Sequence, residues 1–153
     1  MNKYVNIYSD SISDSFWIFW LYPLLKSENE KILFPYIVGI LNNKSCHSYI
    51  VGGASNHIHI ITHIHPTEAL AYLVKDIKLA SHKRILENRK HFSHFSGWQV
   101  GYSGFTYHIS SRDKLINYVE KQREHHKVFS FKEELKELLK EHSVGYNDEY
   151  LIT

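Results

Sequence analysis

A chain of 153 residues, 43% hydrophobic and 22% charged, is long enough to enclose one core and has the composition of an ordinary globular domain. One cysteine, Cys46, excludes an internal disulfide framework and a cysteine-rich zinc site, and it suits a reducing, cytoplasmic location. The longest apolar stretch, Phe16 to Leu25, is too short to cross a bilayer, so no membrane association is expected; the Met1-Asn2-Lys3-Tyr4 start does not read as a secretion signal, and a net charge of +2 does not announce a nucleic-acid binder.

With no Pro/Gly/Ser linker, low-complexity tract or repeat, 1–153 reads as a single domain. Ser15 to Tyr22 is aromatic and β-branched and predicts a strand. Glu28 to Leu41 has apolar residues at helical spacing. Cys46 to Val51 predicts a second strand, ended by a turn at Gly52-Gly53. Asn56 to His63 alternates strictly and predicts a third. Pro66 to Leu86 predicts a helix with proline at its start. Within and beyond it, Lys75 to Lys90 holds six basic residues against two acidic ones, which reads first as a solvated helix face.

Trp98 to Ile109 predicts a further strand region punctuated by Gly101 and Gly104. Ser110 or Ser111 caps a helix running to about His126. Ser130-Phe131-Lys132-Glu133 has the form of a capping box and opens a last helix, about 130–142, with Leu135, Leu138 and Leu139 on one side. The order predicts an α+β, ferredoxin-like sandwich: an antiparallel sheet with helices on one face.

The third strand carries the strongest chemical signal. Side chains alternate along a strand, so His57, His59, Ile61, His63 and His65 share one face, and Ile58, Ile60 and Ile64 fill the other. Imidazoles two residues apart on a strand can converge on one divalent ion; surface histidines on a half-exposed sheet would give the same pattern. The chain is too short for a barrel amidohydrolase, Ile61 stands where a histidine-triad hydrolase needs another histidine, and the paired His-x-Thr/Ser and the His-Glu-x-x-His motifs are absent.

In the helix after Ser111, Tyr118 and Gln122 stand one turn apart, about 40° around the axis, beside Leu115 and Val119. Tyr118 is either an amphipathic residue closing the edge of the core, with Gln122 at its rim, or a phenol facing a metal site to which Gln122 adds a carbonyl oxygen.

Together these segments resemble the HUH transposases with one catalytic tyrosine, found in simple bacterial insertion sequences and as repeat-associated domesticated relatives. His57-Ile58-His59 matches the HUH motif, where U is hydrophobic, and Tyr118 with Gln122 matches the tyrosine helix. Trp98-Gln99-Val100-Gly101-Tyr102-Ser103-Gly104-Phe105 matches the segment before that helix. The His125-His126 pair and the capped last helix, ending near Tyr146 to Leu151, resemble one branch. The match runs from about Phe16 to the end. It departs at Leu21-Tyr22-Pro23-Leu24-Leu25, where a basic residue follows only at Lys26.

The resemblance implies that His57, His59 and Gln122 hold Mg2+ or Mn2+ and that Tyr118 attacks a single-stranded DNA phosphate, leaving a 5′-phosphotyrosine and a free 3′-hydroxyl. It implies a homodimer acting on DNA with hairpin ends. Lys83, Arg84, Arg89 and Lys90 are candidate phosphate contacts. Trp98, Tyr102 and Phe105 are candidates for base stacking, although packing on the sheet is the favoured role for them. His63 and His65 fall outside the implied metal set. Rival readings are a domesticated repeat-nicking relative, an inactive DNA-binding protein of the same fold, and a histidine-rich metal binder using all four strand histidines.

Overall fold

The computed structural model describes residues 15–21, for which only the backbone is described, together with 26–125, 127–148 and 151. The elements run β1 (Ser15–Leu21), α1 (Ser27–Asn43), β2 (His47–Ala54), β3 (His57–His63), α2 (Leu70–Glu87), β4 (Ser103–Tyr107), α3 (Arg112–Glu120), α4 (Gln122–His125) and α5 (Phe131–Glu141). A four-stranded sheet has the order β2-β3-β1-β4. All three pairings are antiparallel, with Trp17 opposite both Ile61 and Phe105, and Val51 opposite Ile60. The crossover from β1 through α1 to β2 leaves a gap that β3 fills, and the crossover from β3 through α2 to β4 straddles β1. Two interleaved β-α-β units of this kind make the ferredoxin-like plan expected from the sequence.

One expected detail is corrected: helices cover both faces of the sheet. The alternation of β3 divides its side chains between two cores, and all of its residues but His63 are buried. Ile58 and Ile60 pack with Leu33, Ile37 and Leu41 of α1 and with Leu73, Val74, Ile77 and Ile85 of α2. On the opposite face Ile61 and Phe105 pack with Leu115 and Val119 of α3 and with Phe131, Leu135, Leu138 and Leu139 of α5. Each fully buried aliphatic side chain of this kind contributes roughly 1.5–3 kcal/mol. The helices after β4 close the second face, and that closure encloses the histidines.

Boundaries shift for identifiable reasons. Gly52-Gly53 does not end β2, which continues to Ala54; the reversal falls on the exposed Ser55-Asn56. Pro66 sits within a turn rather than at the start of a helix, with the Glu68 N–H donating to the His65 carbonyl at 2.8 Å, and α2 starts at Leu70. Trp98 to Tyr102 does not join the sheet. The ammonium of Lys78 takes the carbonyls of Gln99, at 3.0 Å, and Gly101, at 2.5 Å. A neighbouring strand would otherwise need those groups, and Gly101 is left-handed at φ 92°.

Neither Ser110 nor Ser111 supplies a side-chain cap; the imidazole of His108 accepts from the Ser110 N–H instead. The helix predicted to run to His126 breaks at Lys121 into α3 and α4. The last helix has the expected capping box, Ser130 with Glu133. Positions 22–25, 126, 149 and 150 lie outside the described residues, and with them all but Leu21 of the segment that departs from the family pattern.

Candidate active site

His57 and His59 project from β3 toward α3 and α5, and neither has exposed surface. Their rings meet edge to face at 4.8 Å between centroids. Asn56 Oδ1 lies 2.7 Å from His57 Nδ1. A hydrogen on Nδ1 donated there leaves the Nε2 lone pair facing into the molecule, the tautomer a metal ligand requires.

Tyr118 reaches the same place from α3 because Val119 docks its helix on β2, and Gln122 arrives from the first residue of α4 although the helix has broken before it. Gln122 is fully buried, with Oε1 3.2 Å from His57 Nε2. Tyr118 is half-buried, its ring edge-on to His59 at 6.3 Å and to His125 at 5.3 Å. The sequence-predicted His57, His59, Tyr118 and Gln122 therefore come together. His63 is half-buried at the end of β3 opposite His47, and His65 lies beyond the strand, bonded to Thr67 Oγ1 at 2.7 Å.

The sequence reading missed Glu134. This residue of α5 is 2% exposed. Its Oε1 accepts the Tyr118 hydroxyl hydrogen at 2.5 Å and the Gln122 amide at 3.1 Å. The same oxygen is 3.3 Å from His59 Nε2, and Oε2 is 3.6 Å from His57 Nε2. A signal was present in the sequence. Glu134 stands beside Leu135 on the apolar stripe of Phe131 and Leu138, where a helix closing a core normally carries another apolar residue.

His57, His59 and Glu134 offer ligand atoms all within 4.8 Å of one another. Two imidazoles and a carboxylate, with a buried amide oxygen beside them, suit a divalent metal ion. Burial raises the Tyr118 hydroxyl well above the ordinary tyrosine range, and the negative charge of Glu134 adds to it. A cavity of about 230 Å³ leads to this phenol and carboxylate; Tyr107, Lys114, Glu137 and Glu141 are among its walls.

The weaker DNA-contact candidates lie on the other core. Lys83, Arg89 and Lys90 are exposed at and beyond the end of α2. Arg84 is half-buried over the Tyr36 ring at 5.5 Å, and Arg89 donates to the Phe95 carbonyl at 2.8 Å. Trp98 and Tyr102 pack against the α1–α2 core, with the Trp98 indole N–H donating to Ser81 Oγ at 3.0 Å. Phe105 is fully buried. A groove of about 390 Å³ runs past Lys75, Lys78, Trp98 and Tyr102. No helix among the described residues is long and apolar enough to cross a membrane.

Comparison with known proteins agrees with this architecture. A comparison with curated proteins returned no match. Among solved structures, a Deinococcus radiodurans R1 protein assigned as a transposase aligns at a TM-score of 0.56 with 20% identity, covering 71% of this chain and 90% of that one. A REP-associated tyrosine transposase bound to a REP hairpin aligns at a TM-score of 0.53 with 13% identity, covering 79% of this chain and 72% of that one. At these identities the likeness is one of fold. The sequence pattern described as "Transposase IS200 like" matches residues 21–122, a span running from the end of β1 through the paired histidines to Tyr118 and Gln122; the chain belongs to the IS200-like transposase family.

Proposed function

We propose that this transposase cuts and rejoins single-stranded DNA through a 5′-phosphotyrosine on Tyr118, using Mg2+ or Mn2+ held by His57 and His59 with Gln122 and Glu134. The observation that carries the reading is the convergence of two buried imidazoles, an amide and a phenol on one carboxylate. A purely structural core would fill this volume with apolar side chains, because burying a carboxylate is costly without dedicated partners.

A divalent ion bound there supplies positive charge for the scissile phosphate. His57, oriented by Asn56, and His59 present ring nitrogens from a strand buried on both faces, so their positions need little reorganisation. The Tyr118 oxygen forms the new bond to phosphorus while the bond from phosphorus to the 3′-oxygen breaks. The phenol loses its proton, and the departing 3′-oxygen takes one up as a hydroxyl. The phosphotyrosine conserves the energy of the broken ester, so attack by another strand's 3′-hydroxyl rejoins DNA and restores Tyr118.

The REP hairpin held by one structural neighbour supports a hairpin-bearing strand as the partner here. The active unit is a homodimer of single-domain chains, 1–153. Lys83, Arg84, Arg89 and Lys90 contact phosphates, and Trp98 and Tyr102 line the groove beside them. The rival reading with four metal-binding histidines is disfavoured by His65, which lies off the strand and bonds locally. The test incubates the protein with labelled hairpin single-stranded DNA and Mg2+ and resolves products on a denaturing gel. A covalent band is expected from the wild type and none from Tyr118→Phe; a band from Tyr118→Phe would assign the nucleophile elsewhere.

A further inference from the structure

The family pattern ends at residue 122, yet a residue beyond it touches every group in the site. Glu134 Oε1 accepts from Tyr118 at 2.5 Å and from Gln122 at 3.1 Å, and its carboxylate lies 3.3 Å from His59 and 3.6 Å from His57. Oε1 takes both of these donors and lies beside His59, while Oε2 lies beside His57. One carboxylate is thus divided between the nucleophile and the metal ligands.

This division bears on how Tyr118 is aimed. Packing against the second core and the edge contacts with His59 and His125 place the ring. They do not fix rotation of the hydroxyl about its C–O bond. A phenol has a single hydrogen, and its lone pairs point away from it. Donation to Glu134 Oε1 settles the direction of that hydrogen and, with it, the direction of the lone pair that must face phosphorus. The carboxylate is itself held: it sits on α5, which the Ser130–Glu133 capping box starts and Leu135, Leu138 and Leu139 anchor.

We propose that Glu134 is a catalytic residue that aims Tyr118 by accepting its hydroxyl hydrogen on Oε1. The inference rests on the reading of Tyr118 as the nucleophile.

Two measurements test it. The first needs no DNA: carbon-13 NMR of protein labelled at the tyrosine ζ-carbon, with the Tyr118 signal assigned by its loss in Tyr118→Phe. Glu134→Ala is expected to move that signal. Glu134→Gln, similar in shape and still offering an amide oxygen, is expected to leave it closer to the wild-type position. An unmoved signal in a folded Glu134→Ala protein refutes the contact whatever the protein does to DNA; if that variant does not fold, the same comparison is made on Glu134→Met, which fills the volume without an oxygen acceptor, and an unmoved signal there refutes it.

The second is the rate of adduct formation at saturating hairpin DNA and Mn2+, with Mn2+ affinity measured separately by electron paramagnetic resonance. Glu134→Ala should slow the adduct on the order of 100-fold, the loss typical of a reacting group left out of alignment, and Glu134→Gln should recover part of that rate. A Glu134→Ala rate equal to or above the wild type overturns the proposal, since the carboxylate would then be idle or a restraint. A Glu134→Gln rate no better than that of Glu134→Ala also overturns it, because accepting the hydrogen would not be what matters. A wild type that forms no adduct refutes the transposase reading, and the NMR comparison still decides whether Glu134 holds Tyr118.

Discussion

Val119 Cγ1 lies 2.5 Å from the point where a β-carbon on Gly52 would stand. The helix bearing Tyr118 therefore rests directly on the backbone of β2, and a glycine in mid-strand, often a weakness, becomes the seat of the nucleophile. Gly52→Ala forces α3 outward. The expected cost is about 1–3 kcal/mol, as for other overpacked cores, accompanied by a slower covalent adduct because Tyr118 adjoins Val119. Gly39 in α1 has nothing within 4 Å of its would-be β-carbon, so Gly39→Ala should instead stabilise by roughly 0.4–1 kcal/mol. Urea denaturation of both variants checks the contrast; equal effects would remove the close-approach argument.

Asn56 touches no substrate in the proposed reaction but holds His57 Nδ1 at 2.7 Å. Asn56→Ala should lower Mn2+ affinity on the order of 10–100-fold, the usual loss when the partner orienting a ligating histidine is removed. His57→Ala and His59→Ala should abolish binding, while the double change at His63 and His65 should leave it near the wild type. Titration followed by electron paramagnetic resonance separates these outcomes; metal binding lost with His63 and His65 would favour the four-histidine reading.

Lys78 gives the fold a pH dependence of known sign. Burial lowers its pKa to about 8, from an ordinary value of 10.5. Between those values the unfolded chain holds a proton that the folded protein has released, so stability rises with pH across this window, and the penalty for a buried charge is present below it. The half-buried Tyr118 and Tyr107 are both shifted upward and act in the opposite direction only once unfolded tyrosines ionise, near pH 10. Lys78→Met should flatten the rise in melting temperature between pH 8 and 9.5. An unchanged slope would show that the ammonium is not desolvated as its contacts with Gln99 and Gly101 imply.

The basic end of α2 should report on DNA through salt. Lys83 and Lys90 are exposed, and replacing either with alanine should reduce the dependence of log affinity on log salt by about one. Trp98→Phe removes the bond to Ser81 Oγ and should cost about 0.5–1.5 kcal/mol of stability with the salt slope unchanged. Fluorescence anisotropy of a hairpin strand at several salt concentrations measures both. Unchanged slopes in both lysine variants would place the phosphate path on another face.

Much of the site was legible in the sequence because strand and helix periods are local. Alternation over Asn56 to His63 put His57 and His59 on one face, and the spacing that paired Tyr118 with Gln122 brought both to the site although the helix expected to carry them breaks at Lys121. The capping box at Ser130 was equally readable, since its two hydrogen bonds join residues three apart.

Local patterning was therefore enough for the ferredoxin-like plan and for the residues of the histidine strand and tyrosine helix. Long-range packing settled that helices close both faces, that Gly52 and Gly53 lie within a strand, that Trp98 packs on α2, and that Glu134 joins the site. These outcomes depend on contacts between residues far apart in the chain: Gly52 with Val119, Trp98 with Ser81, and Glu134 with His57, His59, Tyr118 and Gln122. A local pattern shows which way a side chain points along its own element. Which element arrives to meet it is settled by the packing of the whole chain.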